Sequence, residues 1–299
     1  MRRHHYFRQR KLSCRLPPGA SDSRLSFQRR EITMFKRVLV LTWFALVATM
    51  GLASAQSPVL DRIIKNSELR VATSGTQPPF NAVSKDGELM GLEIDLIRLF
   101  AEAMKVNLLL QTIPFPELLP ALEEGKVDMV LSGLSITPER ARDFAFVGPY
   151  VLSGTSVLTD SHTLINMKSP RDLDKPSYTL VALAGSTSQE YIERVAPQAK
   201  LVTTQNYDEA VKMVIAGEAT AMIADMPACV LAVLKNPHAD LGTPSQPFNV
   251  EPVGIAIPAN DERFKNLIET YLAAFEGMGV LEQLRKKWLE SGDWVRMLP

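Results

Sequence analysis

The sequence predicts an α/β fold built as two similar lobes joined by a two-strand hinge. Three observations predict it. A strand–helix–helix–strand pattern runs through residues 69–132, and a second copy of lower fidelity runs through residues 178–225. Two extended segments far apart in the chain flank that second copy. At 299 residues, of which 46% are hydrophobic, the chain is long enough for two modest cores.

The N-terminal region reads as export information. Phe35-Lys36-Arg37 is a charged n-region, VLVLTWFALVATMGL (residues 38–52) is an apolar h-region, and Ala53-Ser54-Ala55 is a small-residue cleavage site. The apolar run is shorter than the roughly 20 residues a spanning helix needs. We therefore expect a signal peptide over residues 34–55, cleaved after Ala55, and a periplasmic mature chain. Residues 1–33 are expected to be a non-native or unstructured leader, with translation starting at Met34. Residues 1–55 hold 11 basic and 2 acidic residues, which leaves 22 basic against 31 acidic and a net charge of −9 for the rest. Such a body has no electrostatic reason to bind nucleic acid or an anionic membrane. Cys229 is the one cysteine past the cleavage site, so no disulfide framework is expected; His162 and His238 have no second ligand at metal spacing, so no metal is expected either.

In the first copy, LRVATSG (residues 69–75) is a buried strand entering a glycine turn. Residues 91–107 place Leu92, Leu96, Leu99, Phe100 and Ala103 at helical spacing. LLPALEEG is a short helix stopped by Gly125, and VDMVLS (residues 127–132) is an apolar strand covered on both faces. The second copy follows in YTLVALAGSTSQEY and NYDEAVKMVIAGEATAMIAD, where Asn206 and Glu209 form a capping box. Residues 149–159 and 247–258 are the two hinge crossings, and residues 278–294 form a helix with Val280, Leu281, Leu284 and Trp288 facing a core. The distinctive polar residues fall just past the C-terminal ends of equivalent strands, where open α/β sheets bind ligands.

Thr137-Pro138-Glu139-Arg140 reads as a helix start, with threonine as N-cap and proline at the first position. A helix N-terminus ordinarily prefers an acid, so Arg140 there, with the hydroxyls of Ser135 and Thr137, points to a visiting carboxylate. The alternative is a surface arginine paired with Glu139 or Asp143. Ser186 and Thr187, in GSTS, are either plain helix caps or further donors to the same anion. Asp225 ends an apolar strand and is either a cap or the partner of an ammonium group. Phe80 and Phe115, flanked by prolines, are either core or ligand platform. Gly133-Leu134-Ser135 begins like a nucleophile elbow but lacks the second glycine and a placed histidine, and no phosphate loop is present. No catalytic residue and no cofactor is expected.

These segments, with KKW at the C-terminal end, resemble the type 3 periplasmic solute-binding proteins, the polar amino-acid receptors of ABC importers. The resemblance covers essentially the whole mature chain. It implies the type II periplasmic binding fold, with residues 56–153 and 250–299 as one lobe and residues 154–249 as the other. It further implies a monomer that carries a small amino acid to a membrane permease. Carried over by position, Arg140 and Ser135 hold the ligand α-carboxylate with help from Thr187. Ser132, the Gly133 backbone and Asp225 serve the α-ammonium, and Phe80 and Phe115 line the side-chain space. Ser74 stands where the family often has an acid, and Gln77 where an aromatic often covers the ligand. An enzyme branch, the cyclohexadienyl (arogenate/prephenate) dehydratases, is similar in LDRI…LRVAT; its acidic position is occupied here by Gln189, with Glu190 beside it. An amide cannot protonate a leaving hydroxyl, so a binding protein is expected rather than an enzyme.

Overall fold

The computed structural model describes residues 57–167 and 169–299. The leader and signal-peptide expectations lie outside the described residues. Helix α1 (Pro58–Asn66) opens with proline in its first turn, and its free backbone donors at Val59 and Leu60 are taken by the Asp261 carboxylate at 2.8 and 3.0 Å. Strand β1 (Glu68–Thr73) follows. Three very short strands, β2 (Thr76–Gln77), β3 (Asn81–Val83) and β4 (Leu89–Met90), form a small antiparallel sheet of their own. Helix α2 (Leu92–Met104) leads to β5 (Asn107–Thr112), and α3 (Leu118–Glu123) leads to β6 (Met129–Val130). Both β5 and β6 pair with β1 in parallel.

Helix α2 is rotated from the expected face. Leu92, Ile94, Leu96, Ile97, Phe100 and Ala101 are buried together with Glu93, whereas Ala103 is exposed. The stripe is centred on Ile97, which brings Glu93 one turn earlier to the inside. Gly91, with φ +133°, sets the entry angle: it lies so close to the Phe80 carbonyl that no side chain fits there.

Strand β7 (Phe144–Ser153) leaves the first sheet, and β8 (Thr155–Leu158) enters the second after one residue. A short turn of helix, α4 (His162–Ile165), precedes β9 (Thr179–Leu183), α5 (Thr187–Val195), β10 (Lys200–Thr204), α6 (Tyr207–Ile215), β11 (Ala221–Asp225) and α7 (Met226–Lys235). The second sheet has the order β10-β9-β11-β8, parallel but for β8 against β11. The cap of α6 is half of the expected box. Asn206 accepts from the Glu209 N–H at 2.9 Å, but the Glu209 carboxylate reaches the N–H of Gln205 rather than that of Asn206.

Strand β12 (Glu251–Pro258) brings the chain back. It inserts between β6 and β7, giving the first sheet the order β5-β1-β6-β12-β7, and pairs antiparallel with β7 from Glu251↔Ser153 to Pro258↔Phe144. Helices α8 (Glu262–Gly277) and α9 (Val280–Arg285) close the first core, with Trp288 stacked at a tilt on Trp294, ring centroids 5.5 Å apart. A second apolar cluster joins Phe115, Leu118 and Leu134 to Leu183, Tyr207 and Ala224, so side chains from both sheets share one buried layer. Among the described residues no helix is long and apolar enough to cross a membrane.

Replacing Gly91 by alanine puts a Cβ into the Phe80 backbone at a positive φ. We expect Gly91→Ala to lose about 2 to 4 kcal/mol of stability, read as a lower urea midpoint with unchanged slope.

Candidate functional site

The floor of the cleft is a polar network at the C-terminal ends of β1 and β6. Ser132 donates to Ser74 Oγ at 2.9 Å, Ser74 donates to Asn81 Oδ1 at 3.0 Å, and the Asn81 amide donates to Glu93 Oε2 at 2.6 Å. Glu93 Oε1 accepts the Gly133 N–H at 2.7 Å and the Tyr150 hydroxyl from the hinge strand. Ser74, Gln77, Asn81, Glu93 and Ser132 are all buried. Burial raises the Glu93 carboxyl above its ordinary range, while the bonds from Tyr150, Gly133 and Asn81 work the other way. The Gln77 amide nitrogen, which carries two N–H groups, donates to Ser74 Oγ and Ser132 Oγ at 3.3 and 3.4 Å; its Oε1 is buried with no partner among the described residues.

Residues 134–136 run beside β12: Gly254 N–H donates to Leu134 O at 2.9 Å and Ile136 N–H to Pro252 O at 2.7 Å. That pairing aims Ser135 at the hinge. The chain after it does not make the expected helix. Thr137 does cap, its Oγ1 accepting from Arg140 N–H at 3.2 Å, but a single 3-10 turn over Arg140–Arg142 follows. One turn carries no appreciable helix dipole, so the charge of the guanidinium itself makes this place attractive to an anion. Arg140 is folded inward. It donates to Ser135 O at 2.9 Å and, across the cleft, to Gly185 O at 3.2 Å, which engages two of its five N–H groups among the described residues. Burial pulls its pKa below the ordinary value, against the opposing pull of Glu190, Glu251 and Asp225.

From the other sheet, Ser186 caps α5. Its Oγ accepts from Gln189 N–H at 3.2 Å and its proton goes to Leu183 O at 2.7 Å, so the capping reading accounts for this hydroxyl. Asp225 makes no cap bond to α7. Its carboxylate instead accepts from Ser153 at 3.0 Å and from Tyr207 at 3.2 Å. Burial, reinforced by the charge of Glu251, raises its pKa to about 6. Thr187 and Ser135 converge from opposite sides, 3.4 Å apart, and both donate to Glu251 Oε2, at 2.8 and 2.6 Å. Thr155 and Asn249 donate to Glu251 Oε1 at 2.6 and 2.9 Å. Burial pushes Glu251 up, but these four bonds outweigh it and hold its pKa below the usual value.

The structure thus gathers the sequence-predicted residues into two groups. Ser74, Gln77, Phe80, Ser132 and Gly133 belong to the floor, with Phe80 packed into the first core. Ser135, Arg140, Thr187 and Asp225 meet near the hinge, and Phe115 packs in the apolar layer shared by both sheets. A cavity of 300 Å³ between the sheets is lined by Ser135, Thr137, Glu139, Thr187, Glu190, Arg194 and Glu251 among others; of the predicted residues only Ser135 and Thr187 reach it. Sequence reasoning missed Glu93, Glu251, Tyr150, Ser153 and Tyr207. Among the described residues no cluster of ligating side chains could hold a metal.

Two α/β lobes that turn the polar ends of their strands toward one cleft, and that are crossed twice by the chain, define a type II periplasmic binding fold. The sequence pattern of the bacterial extracellular solute-binding proteins, family 3, matches residues 69–291, and the chain belongs to that family. The cyclohexadienyl dehydratase of Pseudomonas aeruginosa is 28% identical over 253 residues, which is 85% of this chain and 94% of that protein. ABC transporter arginine-binding protein 1 of Escherichia coli strain K12 is 26% identical over 225 residues, 74% of this chain and 90% of that one. A crystal structure of an ancestral amino acid-binding protein, a precursor of cyclohexadienyl dehydratase, superposes with TM-score 0.71 at 32% identity, covering 77% of this chain and 99% of its own. The binding component of an ABC transporter from Wolinella succinogenes, complexed with lysine, does so with TM-score 0.73 at 33% identity and the same coverage, 77% and 99%.

Both raised carboxyls make the folded protein bind more protons than the unfolded chain above their ordinary values. Their ionisation therefore costs stability as pH rises through that window. For Asp225 the window runs from 3.8 to about 6; for Glu93 it opens at 4.5 and extends upward. Asp225→Asn and Glu93→Gln should each flatten the fall of urea midpoint with rising pH relative to wild type. An unchanged slope in both variants would contradict the assigned environments.

Proposed function

We propose that this protein is a periplasmic receptor that closes on a small α-amino acid and presents it to an ABC-type membrane permease. The observation that carries the reading is the placement of Arg140 on one side of the cleft and Asp225 on the other, 85 positions apart in sequence and both turned inward. A guanidinium holds an α-carboxylate, a carboxylate holds an α-ammonium, and a ligand with both charges favours the closed state over the open one. Glu190 and Glu251 add negative charge beside Arg140, which supports amino acids with neutral or cationic side chains over acidic ones. The buried floor of Ser74, Gln77, Ser132 and Gly133 bounds the rest of the solute, with Phe80 and Phe115 packed in the apolar cores behind it. In this reading residues 56–153 and 250–299 are one lobe and residues 154–249 the other. The chain is exported by residues 34–55 with cleavage after Ala55 and works as a monomer.

Calorimetry on the purified protein, refolded to remove carried-over solute, tests the reading against a panel that begins with arginine and lysine, the solutes named for two relatives. Saturable micromolar binding of one chemical group of amino acids is the expected result. Arg140→Ala should cost about 3 to 5 kcal/mol, because a buried carboxylate loses its partner, and shift micromolar binding to millimolar or weaker. Binding within a few-fold of wild type would remove Arg140 from the site.

The similarity to cyclohexadienyl dehydratase supports a second reading, an arogenate or prephenate dehydratase on the same scaffold. Gln189, at the position of that branch's acid, has its Oε1 on Gly185 N–H at 2.9 Å and its amide on Glu193 at 2.9 Å, whereas Glu190 lines the cavity between the lobes. Prephenate and arogenate are accordingly expected to stay intact over hours with micromolar protein. Turnover that Glu190→Gln abolishes would make the protein an enzyme and overturn the first reading.

A further inference from the structure

The hydroxyls of Ser135 and Thr187 were expected to hold a ligand carboxylate, and in the structure they already hold one. We propose that Glu251 is a latch that joins the two lobes without any solute, gripping Ser135 from one side and Thr187 from the other. The argument begins with proton counting. A hydroxyl has one proton to give, and both hydroxyls give theirs to the same oxygen, Glu251 Oε2, at 2.6 and 2.8 Å. Toward anything else in the cleft they offer only lone pairs. They cannot also donate to an incoming carboxylate while the latch is made.

The second oxygen fixes the carboxylate to the crossing itself. Oε1 accepts from Thr155, at the start of β8, and from Asn249, two residues upstream, at 2.6 and 2.9 Å; Asn249 Oδ1 in turn accepts the Thr155 N–H at 2.7 Å. Four donors saturate the lone pairs of a carboxylate. Bonds to an ionised acceptor are roughly twice as strong as neutral ones, so the pair that spans the cleft is strong for its size. Arg140 adds a parallel tie through Gly185 O, 3.2 Å away. Glu251 therefore does inside the chain what a bound carboxylate does from outside: it gives both lobes a common anion to close on.

The latch predicts a closed, ligand-free protein, and its test needs no solute, so it stands or falls independently of the receptor reading. Small-angle scattering on the refolded, solute-free protein should give a compact wild type. Glu251→Gln, which keeps the shape but not the charge or all four acceptor positions, should have a larger radius of gyration with unchanged far-ultraviolet circular dichroism. The double variant Ser135→Ala/Thr187→Val, which leaves Glu251 in place, should expand to the same value and decides the matter if Glu251→Gln fails to fold. Combining all three changes should produce no further expansion, because one contact is removed only once; a merely weakened hinge would expand again. A wild type no more compact than the variants, or variants as compact as wild type, overturns the proposal.

Discussion

The antiparallel ladder between β7 and β12 is the constraint from which the site follows. The chain leaves the first sheet on one of these strands and returns on the other, so the place where they stop pairing is the place where the lobes meet. The last pair of the ladder is Glu251↔Ser153. Ser153 then donates to Asp225 at the end of β11, and Glu251 collects donors from both lobes, Ser135 from one and Thr187 from the other. The two side chains that finish the hinge thus also shape the cleft. Slipping either strand by one residue would turn its own member of the pair away, because alternate residues of a strand face opposite sides.

Around that hinge one guanidinium faces three carboxylates, and their environments separate them. Asp225 and Glu251 are both withdrawn from water, yet one is raised and the other lowered. The difference lies in the depth of burial, greater for Asp225, and in the number of donors. Asp225 has the two hydroxyls of Ser153 and Tyr207, too few to offset burial and the neighbouring charge. Glu251 has four donors, which do offset it. Glu251 is therefore fitted to remain an anion inside the protein, and Asp225 is the carboxylate with the most to gain from a cation placed beside it.

The sequence carried the architecture well because it is written in short periods. The apolar run before Asp225 and the glycine turn before Ser186 mark strand ends from neighbouring residues alone, and β11 and α5 start and stop there. Glu93 was legible but overlooked. It stands four residues before Ile97 and seven before Phe100, so it shares their face, and a stripe drawn through Leu99 and Ala103 instead puts that face one position off. The helix after Thr137 was misjudged because a cap and a proline specify a start but not a length; one 3-10 turn satisfies both before β7 begins. The short strands β2, β3 and β4 are too brief to show any period. Glu251 had no local signal at all. Its partners Ser135, Thr155 and Thr187 lie 116, 96 and 64 residues away, and only the folded ladder brings them together.

The same chemistry bears on how a binding cleft differs from a catalytic one. Acid catalysis of a dehydration needs a protonated group within reach of the leaving oxygen. Glu93 is raised by burial, but its two oxygens are occupied by Gly133, Tyr150 and Asn81 beneath the floor, with no exposure to the cleft. Asp225, with a pKa of about 6, is mostly ionised at neutral pH and so suits a resident cation better than a proton donation. Gln189 has no acidic proton to give, and its amide is tied to Gly185 N–H and to Glu193. What the cleft does supply is a guanidinium, Arg140, set against the carboxylates of Glu190, Glu251 and Asp225, opposite charges brought together where the two lobes meet.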